Sequence, residues 1–480
     1  MAKRAACFLL AFVFVPAIAL ATPQSAPPAQ PLPQVQLTPP PFTPDRARAI
    51  DGIALGEIHS GSTPGLAIGV VEDGLLVYAH GFGAANVEAH RGMSISTQFY
   101  AGSLTRQFTA AAMLLLAQRK QLALTDKVTK YVPELTIAKN ATIQDLLYDT
   151  SGLPDELQAP GINHDLTRPV KIDDLLRAVN RMTPVFDPGT KSQYNNFNYT
   201  VAALIVQRVS QLPLSVFFST NIFQPLIMTS SFLAGDQGVS PAHAVGYTRT
   251  GGRFVRAKIW NPSWLLGNGD LVTTVDDLAK WDIGMPLLLN VDSVRMMWSV
   301  APNVQGTQYG MGWIIDQRGG QRFMWHAGQI AGFHAMNAML PDQHVAVIVF
   351  ANADSLSGES TVQPELIANR ILDVVAPLPP AHFENVIMTR AAEWLGRLAR
   401  IDIDRTQLTP AFSQYLTDQL VEQTNLRAMG PVLSLVPIES FERSGDTVYV
   451  FDVRFRRGAL RYQFALSPDG KIDGLQFAGD

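Results

Sequence analysis

Thiol is almost missing from this chain. Cys7 is the only cysteine among 480 residues, and it lies in the apolar opening segment. A mature protein that starts beyond it has no disulfide, no cysteine nucleophile and no thiolate metal site. Stability then has to come from apolar burial, for which the length suffices. Charge of one sign is missing too: 37 lysines and arginines face 41 aspartates and glutamates, a net charge of −4. That balance argues against nucleic acid or an anionic membrane surface as partner, and for a small molecule or peptide. No His-Glu-x-x-His pattern occurs, and His326 and His334, the pair of most interest, show no carboxylate partner in the sequence. A Gly-x-Ser-x-Gly nucleophile elbow is absent as well, which argues against an α/β-hydrolase. Neither metal nor cofactor is implied.

Long apolar runs are scarce, and the run from Ala5 to Leu20 opens the chain behind Lys3 and Arg4. With Ala19-Leu20-Ala21 closing it, residues 1–21 read as a cleaved secretory signal and the mature chain starts at Thr22. The segment is short for a membrane span, and no span is expected to remain after cleavage. A periplasmic or secreted protein is expected. Residues 22–44, rich in Pro, Gln, Thr and Ser, read as an extended tether.

Beyond the tether, Arg46 to His59 shows helical spacing, and Gly65–Val71 and Leu75–His80 flank Asp73-Gly74 as a hairpin. A long apolar helix is expected from Ser103 to Arg119, then helices and loops to about Met285. Strands return at Phe333–Leu340 and His344–Ala351. Strands at both ends and helices between them predict an α+β fold whose sheet is built from the two ends of the domain. Leu378-Pro379-Pro380 marks a boundary between residues 45–376 and a smaller α+β module over 381–480. That module opens with a helix at Glu384–Arg400. In it Tyr449, Phe451, Val453 and Phe455 alternate inward, while Arg454, Arg456 and Arg461 are read as a solvated outer face.

Three clusters carry chemistry: Ala101-Gly102-Ser103-Leu104-Thr105-Arg106, Tyr194-Asn195-Asn196 after Pro188-Gly189-Thr190, and His326-Ala327-Gly328-Gln329, which directly precedes a strand. Taken singly, a serine at a helix start is usually an N-cap, and a histidine beside glycine a turn residue. Their order and spacing together resemble the serine β-lactamase, penicillin-binding protein and esterase superfamily, with its Ser-x-x-Lys, Tyr-x-Asn and Lys/His-x-Gly signatures. Gln107-Phe108-Thr109-Ala110-Ala111, Thr150-Ser151-Gly152-Leu153-Pro154, Ile222 to Leu226 and Leu271 to Trp281 extend the likeness across Gly65 to Asn352. The resemblance implies a β-lactamase/transpeptidase-like fold, an antiparallel sheet flanked by helices plus an all-helical subdomain. The C-terminal module looks like the NTF2-type folds appended to exported hydrolases.

The resemblance also implies roles. Ser103 attacks an acyl carbonyl, its own N–H and that of Gln329 hold the oxyanion beside Gly328, and Asn196 binds the acyl amide. The residue three positions after the serine, a lysine in the family, is Arg106 here. A guanidinium keeps its proton and has no acceptor, so it cannot be a general base. One reading makes Tyr194 the base, its phenolate favoured by Arg106. Arg106 then donates to Ser103, and His326 steers substrate or helps a proton move. The other reading is a degenerate member that binds acyl-peptide or cell-wall-type ligands without turnover. With His-x-Gly in place of Lys-Thr-Gly, an esterase or D-amino-acid-type peptidase is ranked above antibiotic hydrolysis.

Overall fold

The computed structural model describes residues 42–479 except 236–241, 303, 305–306, 357–361, 379–382, 425, 444 and 457. The expected signal, most of the tether and the boundary prolines lie outside the described residues. The first helix, α1 (Pro44–His59), starts earlier than the spacing suggested, because Thr43 caps it and Pro44 takes the first-turn position that needs no N–H.

The central sheet has seven strands. In chain order they are β1 (Gly65–Glu72), β2 (Leu75–Asn86), β3 (Arg91–Gly92), β4 (Ile314–Arg318), β5 (Gln321–Ile330), β6 (Phe333–Leu340) and β7 (Val345–Ala351). Their order across the sheet is β3-β2-β1-β7-β6-β5-β4, so the first and last parts of the domain meet at the antiparallel β1–β7 pair. This is the expected sheet from both ends. Asp73 and Gly74 have φ of 48° and 78°, the positive values that the tight β1–β2 turn needs.

Strand chemistry explains why the sheet is central. Along β7, Val345, Val347, Val349 and Ala351 enter one apolar cluster while Ala346, Ile348 and Phe350 enter another, so both faces are buried. On one face lie α1 and α5 (Pro364–Val375). On the other lie α2 (Thr105–Gln118), α3 (Asn196–Ser210) and α4 (Val275–Leu288). In α2 every side chain from Thr105 to Leu116 is buried. A residue there cannot reach solvent, which decides the fate of Arg106.

The C-terminal module holds α6 (Asn385–Arg400), short helices and the sheet β8 (Val432–Arg443), β9 (Asp446–Phe455), β10 (Gly458–Leu466), β11 (Ile472–Gly479). Phe451, Val453 and Phe455 point into its own core, as the alternation predicted. Arg461 corrects the sequence reading. Its guanidinium bridges Asp452 of β9 and Asp373 of α5, at 3.0 and 3.1 Å. Arg318 of β4 holds the same Asp373, and Glu439 of β8 accepts from the Gly319 N–H. Phe42 to Asp480 accordingly forms one compact unit.

Candidate active site

Gly102 makes the first bend of the site. It takes φ +55° and starts a 3₁₀ turn, Gly102–Leu104, that leads into α2 with Ser103 at its centre. Thr105 fixes the turn by donating from Oγ1 to the Gly102 carbonyl at 2.7 Å and accepting from the Leu271 N–H at 3.0 Å. The turn abuts β5. A Cβ on Gly102 would lie 2.8 Å from the Gln329 nitrogen, and one on Gly328 would lie 1.9 Å from the Ala101 carbonyl oxygen and 3.1 Å from the Ser103 nitrogen. Only glycines allow this approach, which packs the backbone of the Ser103 turn against that of Gly328 and Gln329. The third cluster directly precedes the strand β6, as expected, and itself lies within another, β5. Burial alternates along β5 from Met324 to Ile330, but the buried positions include His326 and Gly328 and the half-buried ones Trp325 and Ala327, so the sequence shows no apolar–polar alternation. Strand β4 pairs with β5 only as far as Trp325, so no strand covers the edge from His326 to Ile330.

The second cluster enters from the start of α3. Asn195 caps that helix through Oδ1 and anchors the preceding loop by donating to the Leu153 carbonyl. This sets Tyr194 just outside the helix and Asn196 on its first turn. Ser103, Tyr194, Asn196, His326 and Gln329 all line one cavity of about 420 Å³, whose walls include Trp260, Trp264 and Trp325. Ser103 is near enough to the Tyr194 hydroxyl to pull its pKa down. Of the predicted residues, Gly328 serves as the contact that seats β5, and Arg106 lies beneath the cavity instead of in its wall.

Arg106 is fully buried, and none of its hydrogen bonds goes to Ser103, contrary to the first sequence reading. It donates to Asp149 at 3.0 Å, to Asn196 Oδ1 at 2.7 Å and to the Tyr309 hydroxyl at 3.3 Å. Its guanidinium carbon lies 3.7 Å from the centre of the Tyr194 ring and 4.7 Å from that of Tyr199, a cation held between aromatic faces. Burial works against its charge, but Tyr194, Tyr309 and Asp149 outweigh that and hold it protonated more tightly than usual. Asp149 moves the other way: burial lifts its carboxyl to about 6, with Arg106 pulling it down.

Tyr194 is 47% exposed, and desolvation by the surrounding wall raises its pKa by more than Arg106, as expected, pulls it down. The guanidinium sits over the ring rather than at the hydroxyl, so the resting side chain is a neutral phenol, not a phenolate. His326 is neutral as well, pulled down to about 3 by burial and then by Arg106. Its Nδ1 lies 2.6 Å from the Ala327 carbonyl, which can only accept, so the proton is on Nδ1. Nε2 therefore accepts from Tyr309 at 3.1 Å. A continuous chain runs from Arg106 through Tyr309 to His326.

Sequence reasoning missed Tyr309, Asp149 and Tyr199. Asp149 sits directly before Thr150-Ser151-Gly152, which the motif reading had singled out. Tyr309 opens a Tyr-Gly-x-Gly-Trp stretch that carries no chemical signature of its own. The sequence also gave His334 no carboxylate, whereas Glu365 at the start of α5 lies 3.0 Å from its Nε2. Among the described residues no group of three or more His, Cys, Asp or Glu could hold a metal, and no single helix is long and apolar enough to cross a membrane.

Comparison with known proteins bears on the family and the fold. The family model described as Beta-lactamase matches residues 47–370, somewhat more than the motifs spanned. Protein flp of Staphylococcus aureus (strain MRSA252) is 26% identical over 325 residues, covering 65% of this chain; the chain spans 64% of that relative's length. Among solved structures, D-amino acid amidase from Ochrobactrum anthropi SV3, complexed with D-phenylalanine, superposes with a TM-score of 0.61 at 22% identity. It covers 69% of this chain and 99% of its own. The octameric penicillin-binding protein homologue from Pyrococcus abyssi gives 0.60 at 19% identity, covering 90% of this chain and 98% of its own. At these identities the structural likenesses establish the fold.

Proposed function

The chain belongs to the β-lactamase family, and from that premise we propose that it is a serine hydrolase that cuts an amide or ester through an acyl-enzyme on Ser103. The observation that carries this reading is that the Ser103 turn seats directly against the Gly328–Gln329 backbone of β5, at a cavity that Ser103, Tyr194, Asn196 and His326 line together. The Ser103 and Gln329 N–H groups on one carbonyl oxygen stabilise the charge that develops there.

Because Tyr194 rests as a neutral phenol, it serves as a relay and not as a standing base. Ser103 Oγ bonds to the acyl carbon and passes its proton to the Tyr194 oxygen. Tyr194 gives its own proton to the departing nitrogen or oxygen as that bond breaks. Water repeats the exchange in reverse to free the acid. Arg106 offers a fixed positive charge beneath the Tyr194 ring and takes up no proton. Asn196 accepts from Arg106 through Oδ1, which leaves its Nδ2 as the donor to substrate.

The amidase neighbour and the lack of lysine or arginine among the described residues lining the cavity favour amide or ester substrates over β-lactams. The N-terminal segment, read as a signal, supports a periplasmic or secreted enzyme. One observation favours the alternative, a ligand-binding protein without turnover: no group at Ser103 is a base near neutral pH, and general base catalysis is typically worth about 10²–10⁴ in rate. A fluorophosphonate probe separates the two. Labelling of the wild type that vanishes in Ser103→Ala supports the hydrolase; absence of labelling and of ester turnover supports the binder.

A further inference from the structure

A second cavity lies at the other end of β5 and β6 from Gln329, and its described lining shares no residue with that of the active-site cavity. Its volume is about 320 Å³, and small-molecule sites typically run from about 300 to 1,000 Å³. It sits between α4 and the ends of β1, β6 and β7, where Val71, Ile283, Met339 and Val345 make its wall largely apolar. Two groups of the lining that carry or can take a positive charge, Arg322 and His344, are exposed, and Arg322 is matched by Asp342 at 2.9 Å.

Asp282 of α4 is the part of this wall that packing does not account for. It is 4% exposed, and its Oδ2 has no hydrogen-bond partner among the described residues. The Nε1 of Trp298, which lines the same cavity, has none either. Neighbouring amides decide which carboxyl oxygen is in use. The Trp281 indole can only donate, and its Nε1 lies 3.0 Å from Gln107 Oε1. Asn337 turns its Nδ2 toward that same oxygen at 3.4 Å and toward Asp282 Oδ1 at 2.8 Å. Oδ1 is therefore an acceptor already engaged. Burial lifts the Asp282 carboxyl to about 8, against the pull of the Asn337 hydrogen bond. It holds a proton at neutral pH, and Oδ2 carries it.

Two buried donors, Asp282 Oδ2–H and Trp298 Nε1–H, thus have nothing to receive them in an otherwise apolar wall. An anionic ligand would have to shed its water in a cavity without a buried cation among its described residues, and a ligand that only donates would meet donors. An uncharged apolar molecule with a carbonyl oxygen supplies the acceptor and adds no charge.

We propose that this cavity is a binding site, separate from the active site, for an uncharged apolar molecule whose carbonyl oxygen accepts from Asp282, with the Trp298 N–H as second donor. It does not rest on the hydrolase reading. Acetophenone and α-methylstyrene test it, since they share a shape and the second has a methylene in place of the carbonyl oxygen. Each is titrated into the wild-type protein carrying isotope-labelled methionine methyl groups and followed by NMR. The Met339 signal, assigned from Met339→Leu, reports on this cavity, and no methionine is among the described residues lining the active-site one. Acetophenone is expected to bind about tenfold tighter than α-methylstyrene. Asp282→Asn keeps an acceptor for Asn337 and a donor for the ligand, so the preference should remain. Asp282→Leu keeps neither and should bring it within about threefold. The wild-type comparison stands by itself should Asp282→Leu not fold. No shift of Met339 with either compound, equal affinity for the two, or a preference lost in Asp282→Asn or kept in Asp282→Leu overturns the proposal.

Discussion

At Arg106 a single substitution in a family motif reorganises its surroundings. A lysine can give up its proton when desolvated; a guanidinium cannot, and in the buried first turn of α2 its charge has to be met by partners. Asp149, Asn196, Tyr309 and two aromatic rings meet it. Tyr309 is the joint of that arrangement, since it accepts from Arg106 and donates to His326. Tyr309→Phe leaves the buried Nε2 of His326 unpaired, at a cost of about 1–3 kcal/mol. It is expected to lower kcat by about 10- to 100-fold with little change in KM, because orientation and not binding is lost. Steady-state kinetics on a chromogenic ester checks the split.

The same chain sets a pH dependence. The folded protein keeps His326 neutral down to about 3, while the unfolded chain takes its proton near 6.5. Between those values the unfolded state binds the proton that the folded state refuses. The contribution of His326 is therefore whole above 6.5 and is lost as pH falls toward 3. Asp149, raised to about 6, acts with the opposite sign over part of this window, but it is present in both proteins when wild type is compared with His326→Asn. Thermal unfolding from pH 7 to pH 3.5 should show a shallower fall of Tm for His326→Asn. Parallel curves would refute the assignment.

At the scale of elements, the site depends on how closely the Gly102–Leu104 turn seats against β5. Gly328→Ala places a methyl 1.9 Å from the Ala101 carbonyl oxygen, so strand and turn have to part. The two N–H groups then no longer share one oxygen. Loss of one such donor typically costs about 10²–10³ in rate. The variant is expected to lose that much kcat while still folding cooperatively, as circular dichroism melting would show. Much of this was legible beforehand: Ser103, Tyr194, Asn196, His326 and Gln329 were named from spacing and resemblance, and all five meet in one cavity. The paths of contact were not legible. Whether Arg106 turns to Ser103 or to Asp149 depends on packing between helices some forty residues apart in the chain, and no local pattern encodes that. The strand β5 was overlooked because its buried positions include His326 and Gly328 and its half-buried ones Trp325 and Ala327, which leaves no apolar–polar alternation to read.

At the scale of the whole molecule, the C-terminal module was visible as a change in texture, and its inward-facing aromatics were read correctly. Its attachment was not, because an arginine on an alternating strand looks the same whether it faces water or a carboxylate on another element. Arg461 joins β10 to α5 through Asp373, which Arg318 also holds beside the strand that lines the site. Arg461→Ala removes one of two cations from a partly exposed aspartate, an effect of about 1 kcal/mol after solvent screening. Tm should fall by only a degree or two. Hydrogen exchange should quicken in β8 to β11 while β1 and β7 stay protected, and uniform exchange across both sheets would argue against a latch.

The central claim is that an active nucleophile works beside an arginine. The most direct measurement exposes wild type, Ser103→Ala and Arg106→Lys to a fluorophosphonate probe and a chromogenic short-chain ester, with the labelled residue identified by mass spectrometry. The account predicts that wild type labels at Ser103 and turns over while Ser103→Ala does neither. Reaction of Arg106→Lys alone, with wild type silent, would contradict it and make the natural protein a binder in a hydrolase fold.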